Sequence, residues 1–340
     1  MTGPAAVPGL NRSDVRGPGL ARVRAGTGFR YLGADGAEIS DSDTLRRIRA
    51  LALPPAWTGV WISPDALGHI QATGIDSRGR TQYRYHELWR QQRDEQKYEH
   101  MLRFAAALPR LRDTTLRDLG RRPLDRGRVA AAAVRLMDLG LFRLGGERYA
   151  ELDHHYGAVT LEKHHVTIRR DGLHFDYVGK EGKERAITVT DAAVLPTVRA
   201  LARADNGLSA LFCFRGARSA WYPMHSHDVS AYIADNSGGH FTAKEFRTWN
   251  ATLLMALLLA AAGPPASERA ARTAIRESIR GVAQWLGDTP TVARASYIDP
   301  RIVSYYESGN LARVPIQPAR LPVDESAEQA VAALLAAAVD

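Results

Sequence analysis

Apolar positions along this chain change their period three times, and each change marks a group of expected elements. Residues 1–20 have little periodicity and several Pro and Gly, so a flexible arm is expected there. Short strands are expected from Gly28 to Glu38 around a Gly33–Gly36 turn. Asp41 or Ser42 can cap a short helix that runs to Ala52 and stops at Pro54-Pro55. Alternation then reads as a hairpin, Val60-Trp61-Ile62-Ser63 and His69-Ile70-Gln71-Ala72 about a Pro64–Gly68 turn, with Arg80–Tyr85 as a further strand. A small β-rich domain over residues 21–88 follows from this pattern.

Beyond Glu87 the apolar spacing becomes three to four, which gives helices over 88–108, 112–119 and 127–141. Alternation returns between Gly157 and Thr190, with strands expected at 159–161, 165–168 and 174–178 and a turn at Asp171-Gly172. Helices resume at 192–204, 227–236, 243–262, 267–286 and 325–339. The longest apolar run, Leu253–Ala262, falls short of the ~20 residues that a membrane span needs, so it reads as a buried helix. The expected fold class is α+β: a β-rich N-terminal domain, then a mostly helical domain over 89–340 that holds a three-stranded sheet. No internal repeat is visible.

Composition keeps the chain among globular proteins: 340 residues, 45% hydrophobic and 24% charged, enough for two cores. Charge adds a partner. Residues 78–128 hold 14 Arg and Lys against 7 Asp and Glu, +7 of the net +8. Such a block suits a polyanion, because each cation that meets a phosphate releases counterions; it is equally compatible with a solvated helix face. The single cysteine, Cys213, excludes an internal disulfide framework and fits a reducing cytoplasm. The N-terminus lacks an apolar h-region, so no signal peptide and no membrane partner are expected. The histidines form no His-x3-His pair on a helix, and His154-His155 and His164-His165 read as packed or surface residues. With no Gly-x4-Gly-Lys-Ser/Thr loop either, neither a metal nor a nucleotide cofactor is expected.

The densest local signal is Val282-Ala283-Gln284-Trp285-Leu286-Gly287-Asp288-Thr289-Pro290 followed by Ser296-Tyr297-Ile298-Asp299-Pro300. It resembles the active-site tyrosine segment of type IB DNA topoisomerases of the compact bacterial and poxviral kind, down to the offset from Asp288 to Tyr297. Three more segments are similar to that family in the same order. Phe142–Tyr149 resembles its first arginine motif, Tyr177–Glu184 the turn that presents its lysine acid, and Phe241–Trp249, with Lys244-x-x-Arg247, its second arginine motif. Upstream, Pro54–Trp57, Gly68–Gly74 and Gln82–His86 resemble its DNA-clamping domain. The resemblance spans about residues 30–310.

The resemblance implies roles. Arg143 and Arg247 would hold the scissile phosphate and offset its transition-state charge. Lys180, with Lys183 as the fallback, would protonate the departing 5′ oxygen. Lys244 would touch a further phosphate, and Tyr297 would carry the 3′ phosphate. Gln71, Arg80, Tyr83, Arg84 and Tyr85 would contact DNA from the N-terminal domain. A monomer that closes on duplex DNA about a hinge near residues 86–92, in the cytoplasm at the nucleoid, completes the expectation. Two departures stand out. Asp288 replaces the family's His or Asn; an ionised carboxylate only accepts hydrogen bonds, so it must be protonated, turn away or slow cleavage. Ile75 and Thr81 occupy positions expected to be basic. Two alternatives stay open: a tyrosine recombinase, which usually has His-x-x-Arg and a helical N-terminal domain, and a DNA-binding relative that has lost catalysis.

Overall fold

The computed structural model describes residues 7–140, 142–314 and 324–337. An antiparallel sheet organises the N-terminal part, in the order β2-β1-β3-β4-β5: β1 (Leu20–Ala25), β2 (Gly28–Leu32), β3 (Thr58–Ile62), β4 (Ile70–Ile75) and β5 (Thr81–Tyr85). Its core gathers Val60, Ile62 and Ala72 from the strands and Ile48 from α1 (Ser42–Ala50). Asp41 starts that helix by accepting from Thr44 N at 2.8 Å, the capping role its position suggested. β5 alternates, so Thr81, Tyr83 and Tyr85 share the exposed side while Gln82 and Arg84 turn inward.

Several expectations are corrected here. Residues 1–6 lie outside the described residues, but 7–19 are tied down rather than loose. Asn11 N donates to Leu67 O and His69 N to Asn11 O, both at 2.9 Å, and β1 begins at Leu20. Short-range polarity could not reveal this, because the partners lie more than fifty residues away. The helices expected over 88–108 and 112–119 are one, α2 (Glu87–Leu119), which runs through Pro109. Residues 87–92, expected as a hinge, are its first turns. Tertiary contacts separate Met1–Glu99 from His100–Asp340, a boundary inside this helix rather than at residue 88.

The second unit is helical around α7 (Ala243–Ala262), which is buried on nearly every side from Phe246 to Leu257 and therefore carries no polar stripe. Against it pack α3 (Arg126–Asp138), α8 (Glu268–Leu286), α10 (Pro300–Glu307) and α11 (Glu325–Ala336); α5 (Leu195–Arg203) and α6 (Ser226–Ser237) pack on α3, α9 (Pro290–Ser296) packs on α8, and α4 (Glu147–Asp153) completes the helices. The three-stranded sheet is present, in the order β6 (Val166–Ile168), β7 (Leu173–Val178), β8 (Glu184–Val189), but with one strand exchanged. Residues 159–161, expected as a strand, lie in and just after a 3-10 turn: Ala158 N and Val159 N donate to Arg143 O and Leu144 O instead of a neighbouring strand. β8 takes the third place. A hairpin of β9 (Cys213–Arg215) and β10 (Trp221–Pro223) was not anticipated, nor were α4, α9 and α10. The end of the helix expected to reach 339 lies partly outside the described residues.

Part of the basic block is internal wiring. Arg112 donates to Asp138 and to Glu328 on α11, and Arg126 pairs with Asp228; just beyond the block, Arg135 links Asp138 to Asp191. The Arg112 guanidinium, between two carboxylates, is held far above its ordinary value despite burial. These pairs hold helices together, with Arg112 and Arg135 largely buried in them. Among the described residues no helix is long and apolar enough to cross a membrane.

Candidate active site

The site is assembled from helix ends. Thr242 and Glu245 form a capping box at the start of α7: Lys244 N donates to Thr242 Oγ1 at 3.3 Å and Thr242 N to Glu245 Oε2 at 2.7 Å. That cap fixes the first turn, from which Lys244 stays exposed while Arg247 is buried. α8 ends in a Schellman turn: Gly287 N donates to Gln284 O and Asp288 N to Ala283 O, with Gly287 left-handed at φ 67°. That left-handed φ is what calls for glycine; a Cβ there would also displace the Arg185 guanidinium, whose Nη1 would lie 2.5 Å away. Thr289 then caps α9, with Pro290 in its first turn, and Tyr297 ends it. The spacing from Asp288 to Tyr297 is thus one turn plus one short helix.

Arg143 lies in an extended segment held by the Ala158 and Val159 bonds, where Gly145 and Gly157 pass so closely that a Cβ on Gly157 would lie 2.5 Å from Gly145 N. Both arginines point at one atom. Arg143 Nη2 donates to Asp288 Oδ2 at 2.9 Å and Arg247 Nη2 to the same oxygen at 3.0 Å. The Asp288 side chain is only 6% exposed, so these charge-assisted bonds are shielded from water. Arg247 Nη2 also donates to Leu286 O at 2.9 Å. Burial, then the positive Arg143, pull the Arg247 guanidinium below its ordinary pKa, with Tyr297 and Asp288 opposing. The Tyr297 ring lies under Arg247, 5.1 Å from Cζ to the ring centroid. Its backbone is fixed to the same helix, since Thr252 Oγ1 donates to Tyr297 O at 3.3 Å and accepts from Asp299 N at 3.1 Å.

A cleft of about 330 Å³ opens beside this group, lined by Arg143, Lys180, Lys183, Arg185, Arg247 and Tyr177, among others. Lys180 begins the 3-10 turn between β7 and β8 and is exposed. Lys183, on the same turn, donates to Gly287 O at 2.9 Å and so braces the Asp288 turn. Burial pushes the Tyr177 phenol up, which keeps this wall of the cleft neutral. Arg185 and Tyr156 also line the cleft and were not among the expected site residues. The alternation of Lys183 and Arg185 into β8 was the signal available for the first; for Tyr156 there was none.

The structure thus brings Arg143, Arg247, Asp288 and Tyr297 together, with Lys180 on the adjoining cleft. In the DNA-free chain Asp288 faces both arginines. Of the residues grouped as DNA contacts, Gln71 is corrected to a structural role: it is 3% exposed, accepts from Arg47 Nη1 at 2.8 Å, and its amide donates to Gly68 O at 2.8 Å. Arg80 pairs with Asp76, holding that carboxyl down at about 2, and Arg84 donates to Ala52 O. Tyr83 and Tyr85 remain exposed and stack at 6.1 Å, Tyr85 continuing onto Trp89 at 6.4 Å. Ile75 and Thr81 face each other across β4 and β5. Among the described residues no group of three or more His, Cys, Asp or Glu is arranged to hold a metal ion.

Comparison with known proteins agrees with this geometry. The family described as eukaryotic DNA topoisomerase I, catalytic core, matches residues 86–308, and the bacterial DNA topoisomerase IB N-terminal domain matches residues 28–76. DNA topoisomerase 1B of Acanthamoeba polyphaga mimivirus is 28% identical over 295 residues, which cover 85% of this chain and 88% of that protein. Two arginines converging at a helix end, Arg247 over a tyrosine, in a chain that begins with a five-stranded sheet, therefore have a plain ancestry: the chain belongs to the type IB DNA topoisomerases.

Proposed function

We propose that this chain nicks one strand of duplex DNA through Tyr297, lets the duplex unwind, and reseals it. The observation that carries the reading is the convergence of Arg143 and Arg247 on one oxygen, with the Tyr297 ring under Arg247. A phosphodiester seated there would meet two guanidiniums, and its pentacoordinate transition state would place added negative charge where they point. The bond from the Tyr297 oxygen to phosphorus forms, its hydroxyl proton passing to water, as the bond from phosphorus to the 5′ oxygen breaks. Arg247 lies over the ring and can meet the phosphate that the tyrosine attacks, and Lys180 supplies the proton to the departing oxygen. Resealing runs the same steps backward, so no external energy source is needed. Lys244 and the outward Tyr83 and Tyr85 are the further DNA contacts we carry forward, and a monomer acting on duplex DNA is the simplest unit.

The test of the whole reading is relaxation of supercoiled plasmid in EDTA without nucleotide, with the covalent adduct trapped by denaturant. Relaxation under these conditions is the expected result. An absolute requirement for magnesium or ATP would sink the mechanism.

Lys180 and the arginines separate by chemistry. Lys180→Ala should slow cleavage by about 10²–10⁴-fold, the usual worth of a general acid. A substrate with a 5′-bridging sulfur, which leaves without a proton, should restore most of that loss. Arg143 variants should gain nothing from the sulfur. Lys183 is expected to fail as the acid because its amine braces Gly287; sulfur rescue of Lys183→Ala instead of Lys180→Ala would transfer the role.

A further inference from the structure

Arg247 uses its hydrogens in a way that constrains what the site can bind. Both hydrogens of Nη2 are committed, one to Leu286 O at 2.9 Å and one to Asp288 Oδ2 at 3.0 Å. Nη2 belongs to both two-nitrogen edges of the guanidinium, so neither edge is open in full to a bidentate anion. Arg143 Nη2 meets the same Oδ2 at 2.9 Å. Arg247 Nε is buried with no hydrogen-bond partner among the described residues, so the guanidinium has donor capacity that Asp288 and Leu286 do not take up. One of the two acceptors must yield before a phosphate can be gripped by an edge. Leu286 O is a backbone carbonyl at the end of α8, fixed by the Schellman turn that follows it. Asp288 is a side chain on rotatable bonds. The exchangeable partner is the carboxylate.

Resting on the reading above, we propose that Asp288 is a positioning residue that stands in for the phosphate. In the DNA-free protein its Oδ2 keeps Arg143 and Arg247 aimed at one point and neutralises one of their two charges. A phosphate that arrives must displace it and then sit near a like charge. Lys183 and Arg185, which line the same cleft, supply cations for the displaced carboxylate. A free anion has only the arginine pair to gain and is turned away. A duplex brings contacts along its whole backbone, which offset the displacement. The carboxylate thereby selects polymer over free phosphate, a discrimination achieved by placing a repulsive group against the wrong ligand.

The experiment is calorimetric titration of inorganic phosphate into the full chain, its Asp288→Asn and Asp288→Ala variants, and the charge-conserving Asp288→Glu, with folding checked by near-ultraviolet circular dichroism. Asn and Ala should bind phosphate about tenfold more tightly or better, whereas Glu should stay close to the parent. Equal or weaker phosphate binding by the Asn and Ala variants overturns the proposal. So does a failure of both to fold, because the carboxylate would then be a permanent counter-ion rather than an exchangeable one. Phosphate titration reads no DNA chemistry, so its outcome is separate from that of the relaxation assay. A gain in phosphate affinity without relaxation would refute the nicking reading alone, and relaxation without the gain would refute the stand-in alone.

Discussion

Tyr297→Phe should abolish plasmid relaxation and the covalent adduct while leaving the fold and DNA binding in place. The change removes one oxygen. The ring keeps its position under Arg247, because that position is set by the α9 end and by Thr252 on α7, which hold the backbone rather than the hydroxyl. Loss of a nucleophile that no other group replaces costs about 10⁴–10⁶-fold in comparable covalent mechanisms, so activity should fall below detection. The other phenols lining the cleft, Tyr156 and Tyr177, both have their pKa pushed up by burial and are no substitute. The measurement is relaxation plus denaturant trapping, with filter binding as the control. Relaxation by the Phe variant would mean that another residue attacks the phosphate.

Arg247→Ala should have the next largest effect, on two axes at once. Removing a preorganised donor from a developing oxyanion costs about 10²–10³-fold in rate. Arg247 is only 8% exposed and holds both Leu286 O and Asp288, so its loss also leaves a nearly buried carboxylate with Arg143 as its remaining guanidinium. Breaking such buried pairs costs about 3–5 kcal/mol elsewhere, and the retained Arg143 bond should keep the loss here toward the lower end. Arg247→Lys should recover little of the rate, because an ammonium cannot span a carbonyl and a carboxylate while offering a flat edge to phosphate. Single-turnover cleavage read beside urea unfolding separates the two axes. Cleavage by the folded Ala variant within about threefold of the parent would remove Arg247 from the phosphate clamp.

Asp288 shows how a departure from a family pattern changes meaning in three dimensions. On the sequence it was an acceptor where a donor belonged. In the structure it is the point on which the two arginines converge, and the Schellman turn at Gly287 with the brace from Lys183 holds it there. Repulsion toward phosphate and attraction toward the arginines are the same charge seen from two sides. The sequence could show only the first, because the second depends on residues 145 and 41 positions away.

What the sequence determined by itself was whatever depends on neighbours along the chain. Capping at Asp41, Thr242 and Ser267, the glycine stop at Gly287 and the apolar run of α7 all use groups within a few residues, and these helices fall where the pattern placed them to within about two residues. Motif order likewise survived, since chain order and chemistry travel together. Partners far apart in sequence were left to the tertiary structure. It tied residues 7–19 to the strand region near His69, carried α2 through Pro109, and replaced the expected strand at 159–161 with β8. It took Gln71 out of the DNA-contact set by burying it against Arg47 and the Asp65–Gly68 backbone, and it drew Arg112 and Arg126 of the basic block into ion pairs. A side chain's type is local, but whether its charge faces a phosphate or a carboxylate is decided by which distant element arrives beside it, and burial then makes that choice costly to reverse.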